Sequence, residues 1–192
     1  MFDHSCQVQR RPLVERGDDF YETPTVAVET LLREERLPHR LWEPACGRGA
    51  IVRPLRAAGH EVLASDLVDY GDPTHFYRRD FLMEKLPRGC EGIVTNPPFK
   101  LAEQFAAHAI AICPLVVMLM RLAFFESERR REVLENCGLA RIDCFRKRLP
   151  TMHQAARTDR KVNCGMAFGW FVWNRSHTGP TVIDRISWES AS

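Results

Sequence analysis

Residues 41–59 set the tightest limit on what this chain can fold into. Leu-Trp-Glu-Pro-Ala-Cys-Gly-Arg-Gly at 41–49 is followed by 50–58, where Ile51, Leu55 and Ala58 are spaced to share one face, and then by Gly59. An apolar run, a glycine-containing turn and a 3.6-residue period predict strand, turn and helix, the first half of a Rossmann-like unit. Gly47 and Gly49 let the backbone approach a bound molecule with no Cβ in the way. A dinucleotide site wants a third glycine three residues after Gly49, where Val52 stands, so NAD is disfavoured. A generic strand-to-helix turn is the plain alternative.

The next run, Glu-Val-Leu-Ala-Ser-Asp at 61–66, reads as a second strand ending in an acid about twenty residues after the glycines. Nucleotide-binding folds place a carboxylate against ribose hydroxyls there. Asp66 is the first candidate, with Asp69 and Asp72 as alternatives. Asp80 and Phe81 follow after Phe-Tyr-Arg-Arg at 76–79.

The stretch Gly-Ile-Val-Thr-Asn-Pro-Pro-Phe-Lys at 92–100 is an apolar strand stopped abruptly by two prolines, which cannot donate to a sheet ladder and which fix their own φ. The corner after it carries the Asn96 amide, the Pro97 carbonyl and the Phe99 ring. An amino group conjugated to a heteroaromatic ring is a poor nucleophile because its lone pair is delocalised. Two acceptors, Asn96 Oδ1 and the Pro97 carbonyl, would each take one of its N–H bonds and favour a pyramidal nitrogen. Phe99 would stack on the ring and hold the nitrogen in line with an electrophile. No strong base is required.

Asn96-Pro97-Pro98-Phe99 resembles the catalytic motif of amino-methyltransferases, chiefly the adenine-N6 DNA methyltransferases that use S-adenosylmethionine. Glu43-Pro44-Ala45-Cys46-Gly47-x-Gly49 resembles their cofactor motif. Phe20-Tyr21-x-Thr23-Pro24 before a helix resembles the motif that holds the methionine part of the cofactor, where spare N–H groups at a helix N-terminus suit a carboxylate. By the same resemblance Asp80 meets the cofactor adenine amino group and Phe81 lies against its ring, and Asn96 sits beside the sulfonium methyl. These motifs, in this order, span about residues 20–186. Trp-Phe-Val-Trp at 170–173 before His-Thr-Gly-Pro at 177–180 is similar to methyltransferases encoded by bacteriophages and prophages.

The resemblance implies an α/β, Rossmann-like class I methyltransferase fold: a seven-stranded, mostly parallel sheet, helices on both faces, and a C-terminal antiparallel hairpin. Residues 1–16, polar and basic, read as a loose arm, and 17–192 as a single domain. Thr23 is expected to cap a helix with Pro24 at its first position, and Ser127 to cap another through Asn136. His108 reads as a structural histidine, and the aromatic strand at 168–173 as hairpin packing rather than a base-stacking platform.

At 192 residues the chain suits one well-buried domain, and 45% hydrophobic with 27% charged residues is ordinary for a globular protein. A formal net charge of +2 does not by itself demand a nucleic-acid partner. Seven cysteines with no Cys-x-x-Cys pair point to reduced thiols, and seven scattered histidines give no zinc pattern, so no metal is expected. No apolar run reaches the length of a membrane span, and a cytoplasmic location is expected.

The expected partner is DNA. Local charge for phosphates is offered by Lys100, Arg146 and Arg148, and by His153, Arg157, Arg160 and Lys161 in the loop at 149–161. Enzymes of this type usually carry a separate target-recognition region, and no insertion here is large enough to hold one. Weak sequence preference, reliance on that loop, or a protein partner are the ways round this. Methylation of another planar amine or amide, such as an RNA base or a protein glutamine, is the nearest rival, and a non-catalytic cofactor- or DNA-binding phage protein is a rival of another class.

Overall fold

The central strands are apolar on both faces, which decides the architecture. The computed structural model describes residues 22–70, 76–150 and 166–189. In β5 (Leu115–Arg121), Val116, Met118 and Met120 join one buried cluster and Val117 and Leu119 the other. A strand patterned this way must be covered above and below. The first cluster includes Phe105, Ala106 and Ala109 of α3 (Ala102–Ile112) and Val133 and Leu134 of α4 (Arg131–Glu135). The second includes Ala27, Val28 and Leu31 of α1 (Thr25–Glu34) and Val52 and Leu55 of α2 (Val52–Ala57). Two helices thus cover each face of one sheet.

That sheet has eight strands in the order β3-β2-β1-β4-β5-β7-β6-β8. The first five are parallel: β1 (Arg40–Glu43), β2 (Glu61–Asp66), β3 (Phe76–Arg78), β4 (Gly92–Thr95) and β5. β7 (Phe168–Asn174) runs antiparallel to both β5 and β6 (Leu139–Phe145), while β8 (Val182–Ile186) pairs in parallel with β6. Strand order reverses where β1 meets β4, and in open α/β sheets the crevice outside the carboxyl ends at such a point is where ligands bind.

Several expectations are corrected. There is one strand more than the seven expected, and β7 and β8 do not form a hairpin with each other. β6 lies between them. β7 buries Phe168, Trp170, Phe171 and Trp173 on its two faces and is stable only inside the sheet, whereas β8 is exposed at four of its five residues and takes the edge. The antiparallel partners of β7 are therefore β5 and β6. Trp170 Nε1 donates to the Ala27 carbonyl and Trp173 Nε1 to the Val133 carbonyl, so both rings act in packing. In α2, Val52 rather than Ala58 joins Leu55 in the core, and Ala58 is exposed. Pro24, not Thr23, stands at the N-cap of α1, and Thr23 makes no capping bond. Ser127 likewise makes none: it precedes a 3₁₀ turn at Glu128–Arg130 that leads into the short α4.

The arm at 1–16, Tyr21, and His153, Arg157, Arg160 and Lys161 lie outside the described residues. The five described cysteines form no disulfide, no group of three or more metal-ligating side chains occurs among the described residues, and no described helix is long and apolar enough to cross a membrane.

Gly169 lets β7 sit tightly inside the sheet. A Cβ added there would lie 2.8 Å from the Asp143 carbonyl oxygen and 2.9 Å from Leu122 Cδ2. Gly169→Ala should therefore lower stability by about 1–3 kcal/mol, read as a lower urea midpoint at unchanged slope.

Candidate active site

The carboxyl ends of β1, β2 and β4 converge on a cavity of about 400 Å³. Its walls include the turn after β1, the acid ending β2 and the proline corner after β4. Gly47 and Gly49 adopt φ of 51° and 76°, the left-handed region in which a side chain is strained. The turn is closed by Gly49 N–H donating to the Cys46 carbonyl at 2.7 Å and tied to β2 by Cys46 N–H donating to the Ser65 carbonyl at 3.0 Å.

Asp66 does more than the sequence led us to expect. Its Oδ2 accepts the Gly47 N–H at 2.8 Å and its Oδ1 the Val68 N–H at 3.0 Å. The carboxylate therefore fixes the glycine turn from the neighbouring strand while also lining the cavity.

Glu43, the last residue of β1, is fully buried. Its Oε1 accepts the Thr95 hydroxyl at 2.5 Å and the Ala45 N–H at 3.2 Å, and its Oε2 has no hydrogen-bond partner among the described residues. Burial pushes this carboxyl up to about 8; the bonds from Thr95 and Ala45 pull the other way and do not offset it. Glu43 is therefore a neutral acid at pH 7.

Thr95 in turn places Asn96. The Asn96 amide Nδ2 donates to Thr23 Oγ1 at 3.1 Å, across 73 residues of sequence. Thr23 accepts the nitrogen end of the amide and so directs its oxygen end the other way, which is the orientation an acceptor of amine protons needs. The internal bond of the proline corner runs from Leu101 N–H to the Pro98 carbonyl at 2.9 Å, leaving the Pro97 carbonyl outside it. The Phe99 ring packs 5.9 Å from Phe168 and carries the Arg121 guanidinium carbon 3.8 Å from its centroid.

Of the residues singled out from the sequence, Thr23, Glu43, Pro44, Ala45, Cys46, Gly47, Asp66, Asp80, Phe81, Asn96, Pro97, Pro98, Phe99 and Lys100 all line this one cavity. Pro24 and Gly49 do not line it; they act through the helix start and the turn. Asp69 is exposed and off the wall, and Asp72 lies outside the described residues. Asp80 accepts the Leu82 N–H at 3.1 Å, and Phe81 is buried against Trp42, Phe105 and His108. His108 Nε2 lies 2.8 Å from the Glu84 carbonyl oxygen, a structural role as expected. Arg146 donates to the Arg185 carbonyl, and neither it nor Arg148 reaches the cavity.

Sequence reasoning missed Leu67, Val68, Tyr70 and Arg79 on the same wall. The available signal was three apolar or aromatic residues crowded directly behind the strand-end acid, where a plain loop would be polar. Leu67 is 54% exposed.

The buried carboxyl gives a pH prediction. Glu43 holds its proton in the folded chain up to about pH 8, against an ordinary value of 4.5. Its raised value makes stability greatest below the unfolded value and lost as pH rises toward the folded one, at a limiting slope of about 1.4 kcal/mol per pH unit. Urea midpoints of the wild type should fall between about pH 5 and pH 8, and Glu43→Gln should flatten that fall.

No family model matches the sequence, and no curated protein matches it. Solved structures resemble it in fold. A protein from Listeria monocytogenes assigned to the class I S-adenosylmethionine-dependent methyltransferases is 12% identical with a TM-score of 0.56, over 83% of this chain and 62% of that one. The 23S rRNA methyltransferase ErmE is 14% identical with a TM-score of 0.57, over 82% and 70%. A modification subunit assigned to a type I restriction enzyme of Vibrio vulnificus YJ016 is 16% identical with a TM-score of 0.56, over 87% and 46%. This chain thus spans less than two thirds of the Listeria and Vibrio proteins. The sheet order, the helices on both faces and these likenesses together make the fold the Rossmann-like fold of the class I methyltransferases.

Proposed function

We propose that this protein transfers a methyl group from S-adenosylmethionine to the exocyclic N6 of adenine in DNA. The observation that carries the reading is the Asn96 amide, turned by Thr23 at the rim of the cavity that the glycine turn and Asp66 also line.

The residues present fit the cofactor. A volume of about 400 Å³ falls within the usual range for small-molecule sites. The left-handed glycines leave room for close approach, Asp66 offers carboxylate oxygens to hydroxyls, and Glu43 Oε2 is a buried polar atom in want of a partner among the described residues. When bound, S-adenosylmethionine supplies an electrophilic methyl on a sulfonium. The chain supplies position. Asn96 Oδ1 and the Pro97 carbonyl accept the two amine protons, which restores lone-pair character to the nitrogen, and the Phe99 ring steadies the heterocycle. The surplus proton leaves to water, because the alkylated nitrogen is acidic enough to need no strong base.

Nucleic acid is favoured as acceptor because the motif matches that of amino-methyltransferases acting on adenine. Two of the proteins it resembles in fold are an rRNA methyltransferase and a restriction-system modification subunit. We take the protein to act in the cytoplasm, with Lys100 near the acceptor; the loop at 149–161, and a protein partner, would add contacts to the phosphates.

The test is transfer of radiolabelled methyl to unmethylated duplex DNA, single-stranded DNA, RNA and protein extract, followed by nucleoside analysis. Label in N6-methyladenine of DNA is expected; label confined to RNA or protein would keep the chemistry and overturn the acceptor. Asn96→Ala should remove two or more decades of turnover, about 2.7–4 kcal/mol, at nearly unchanged cofactor affinity, and full turnover would sink the mechanism. Thr23→Val should lower turnover about tenfold by releasing the amide. Asp66→Ala should instead weaken cofactor binding, measured by calorimetry.

A further inference from the structure

A second cavity of about 160 Å³ meets the first at Pro97 and Phe99. Its other walls are largely apolar, Leu119, Met120 and Ala102 among them, and two arginines border it. They are not equivalent. Arg130 is committed: its Nη1 donates to the Ala123 and Phe124 carbonyls, its guanidinium carbon lies 4.4 Å from the Phe124 centroid, and its buried Nε, although without a hydrogen bond among the described residues, is ion-paired with Glu103 Oε2 at 3.7 Å. Arg121, at the end of β5, forms no ion pair among the described residues, and its Nε is buried with no hydrogen-bond acceptor among them. Its guanidinium carbon lies over the Phe99 ring, 3.8 Å from the centroid.

A desolvated guanidinium N–H lacking an acceptor is expensive to keep and waits for one. Arginine has donors only, so it rewards a ligand edge that presents a lone pair and rejects one that presents N–H. Apolar walls suit a flat ring better than a phosphate. Adenine combines these properties: a planar ring with acceptor nitrogens and an exocyclic amine.

Resting on the methyltransferase reading, we infer that this second cavity receives the acceptor's heterocyclic ring, and that Arg121 binds it by donating a hydrogen bond from Nε to a ring nitrogen while braced on Phe99. Arg121 is thus a substrate-binding residue that selects for an aminated heteroaromatic ring. Nothing in the sequence marks it out, because its partner ring lies 22 positions earlier in the chain.

The experiment uses the full chain with the cofactor site saturated by S-adenosylhomocysteine, so that adenosine cannot occupy the cofactor cavity. Adenosine, 1-deazaadenosine and 7-deazaadenosine are titrated by ligand-observed NMR into the wild type, Arg121→Lys and Arg121→Gln. Affinity for S-adenosylhomocysteine, measured by calorimetry, reports whether each variant is folded. Adenosine affinity should fall tenfold or more in Arg121→Gln at unchanged S-adenosylhomocysteine affinity. One deaza analogue should bind the wild type equally poorly, yet show no further loss in the variant. Equal adenosine affinity in all three proteins, no adenosine binding to the wild type, or a loss seen with adenosine monophosphate but not adenosine would overturn the inference. Arg121-dependent adenosine binding with no methyl transfer to DNA would leave the cavity assignment standing and defeat the DNA reading. Transfer to DNA with an unaltered KM for DNA in both variants would do the reverse.

Discussion

The site depends on one buried carboxyl. Glu43 ends β1, and its Oε1 gathers the Thr95 hydroxyl from the end of β4 and the Ala45 N–H from the start of the glycine turn. A charged carboxylate with one oxygen unsatisfied could not be held there; a neutral one can, which is why burial raises its value so far. Through that single oxygen the strand that ends in the Asn-Pro-Pro corner and the glycine turn are kept in register. Asp66 adds the third element by holding Gly47 from β2. Three neighbouring parallel strands, β2, β1 and β4, are therefore locked at the ends that line the cavity.

This explains how much of the site could be read from the chain. Glycines that require left-handed φ, prolines that stop a strand, and an acid closing an apolar run each act within a few residues, so their signals survive in sequence. Asp66 and Asn96 were legible for that reason, whereas Thr23 and Glu43 were marked as site residues by the family resemblance; all four line one cavity. What was illegible is pairwise and long-range. The bond from Asn96 to Thr23 spans 73 positions, and it takes Thr23 out of the capping role its neighbours predict. The stacking of Arg121 on Phe99 has no local pattern at all.

The same distinction applies to the fold. β5 and β7 are apolar on both faces, as strands of a doubly covered sheet must be, yet periodicity cannot say which strands are neighbours. The family resemblance implies a C-terminal hairpin. The competing requirement was burial: a strand with tryptophans and phenylalanines on both faces needs partners on both edges, and β8, carrying exposed Val182 and Ile183, cannot offer a covered one. β6 fills that edge instead, with Asp143 buried in its middle and paired to Arg141. Burial raises Asp143 toward about 6 against the pull of that arginine, so this acid too is bound up with packing rather than with the cavity.

The titratable groups around the cavity constrain the chemistry further. Glu43 has its carboxyl pushed up to about 8 by burial, and Asp66 is engaged by two backbone N–H groups. Neither is set up as a general base beside Asn96. An enzyme that deprotonates its acceptor before attack would need such a group within hydrogen-bond reach of the reacting atom. Alkylation of an amine does not, because the nitrogen becomes acidic only after the new bond forms. On the proposed reading, the corner at Asn96 and Pro97 supplies what an amine acceptor requires, neutral oxygens held by two prolines and a threonine.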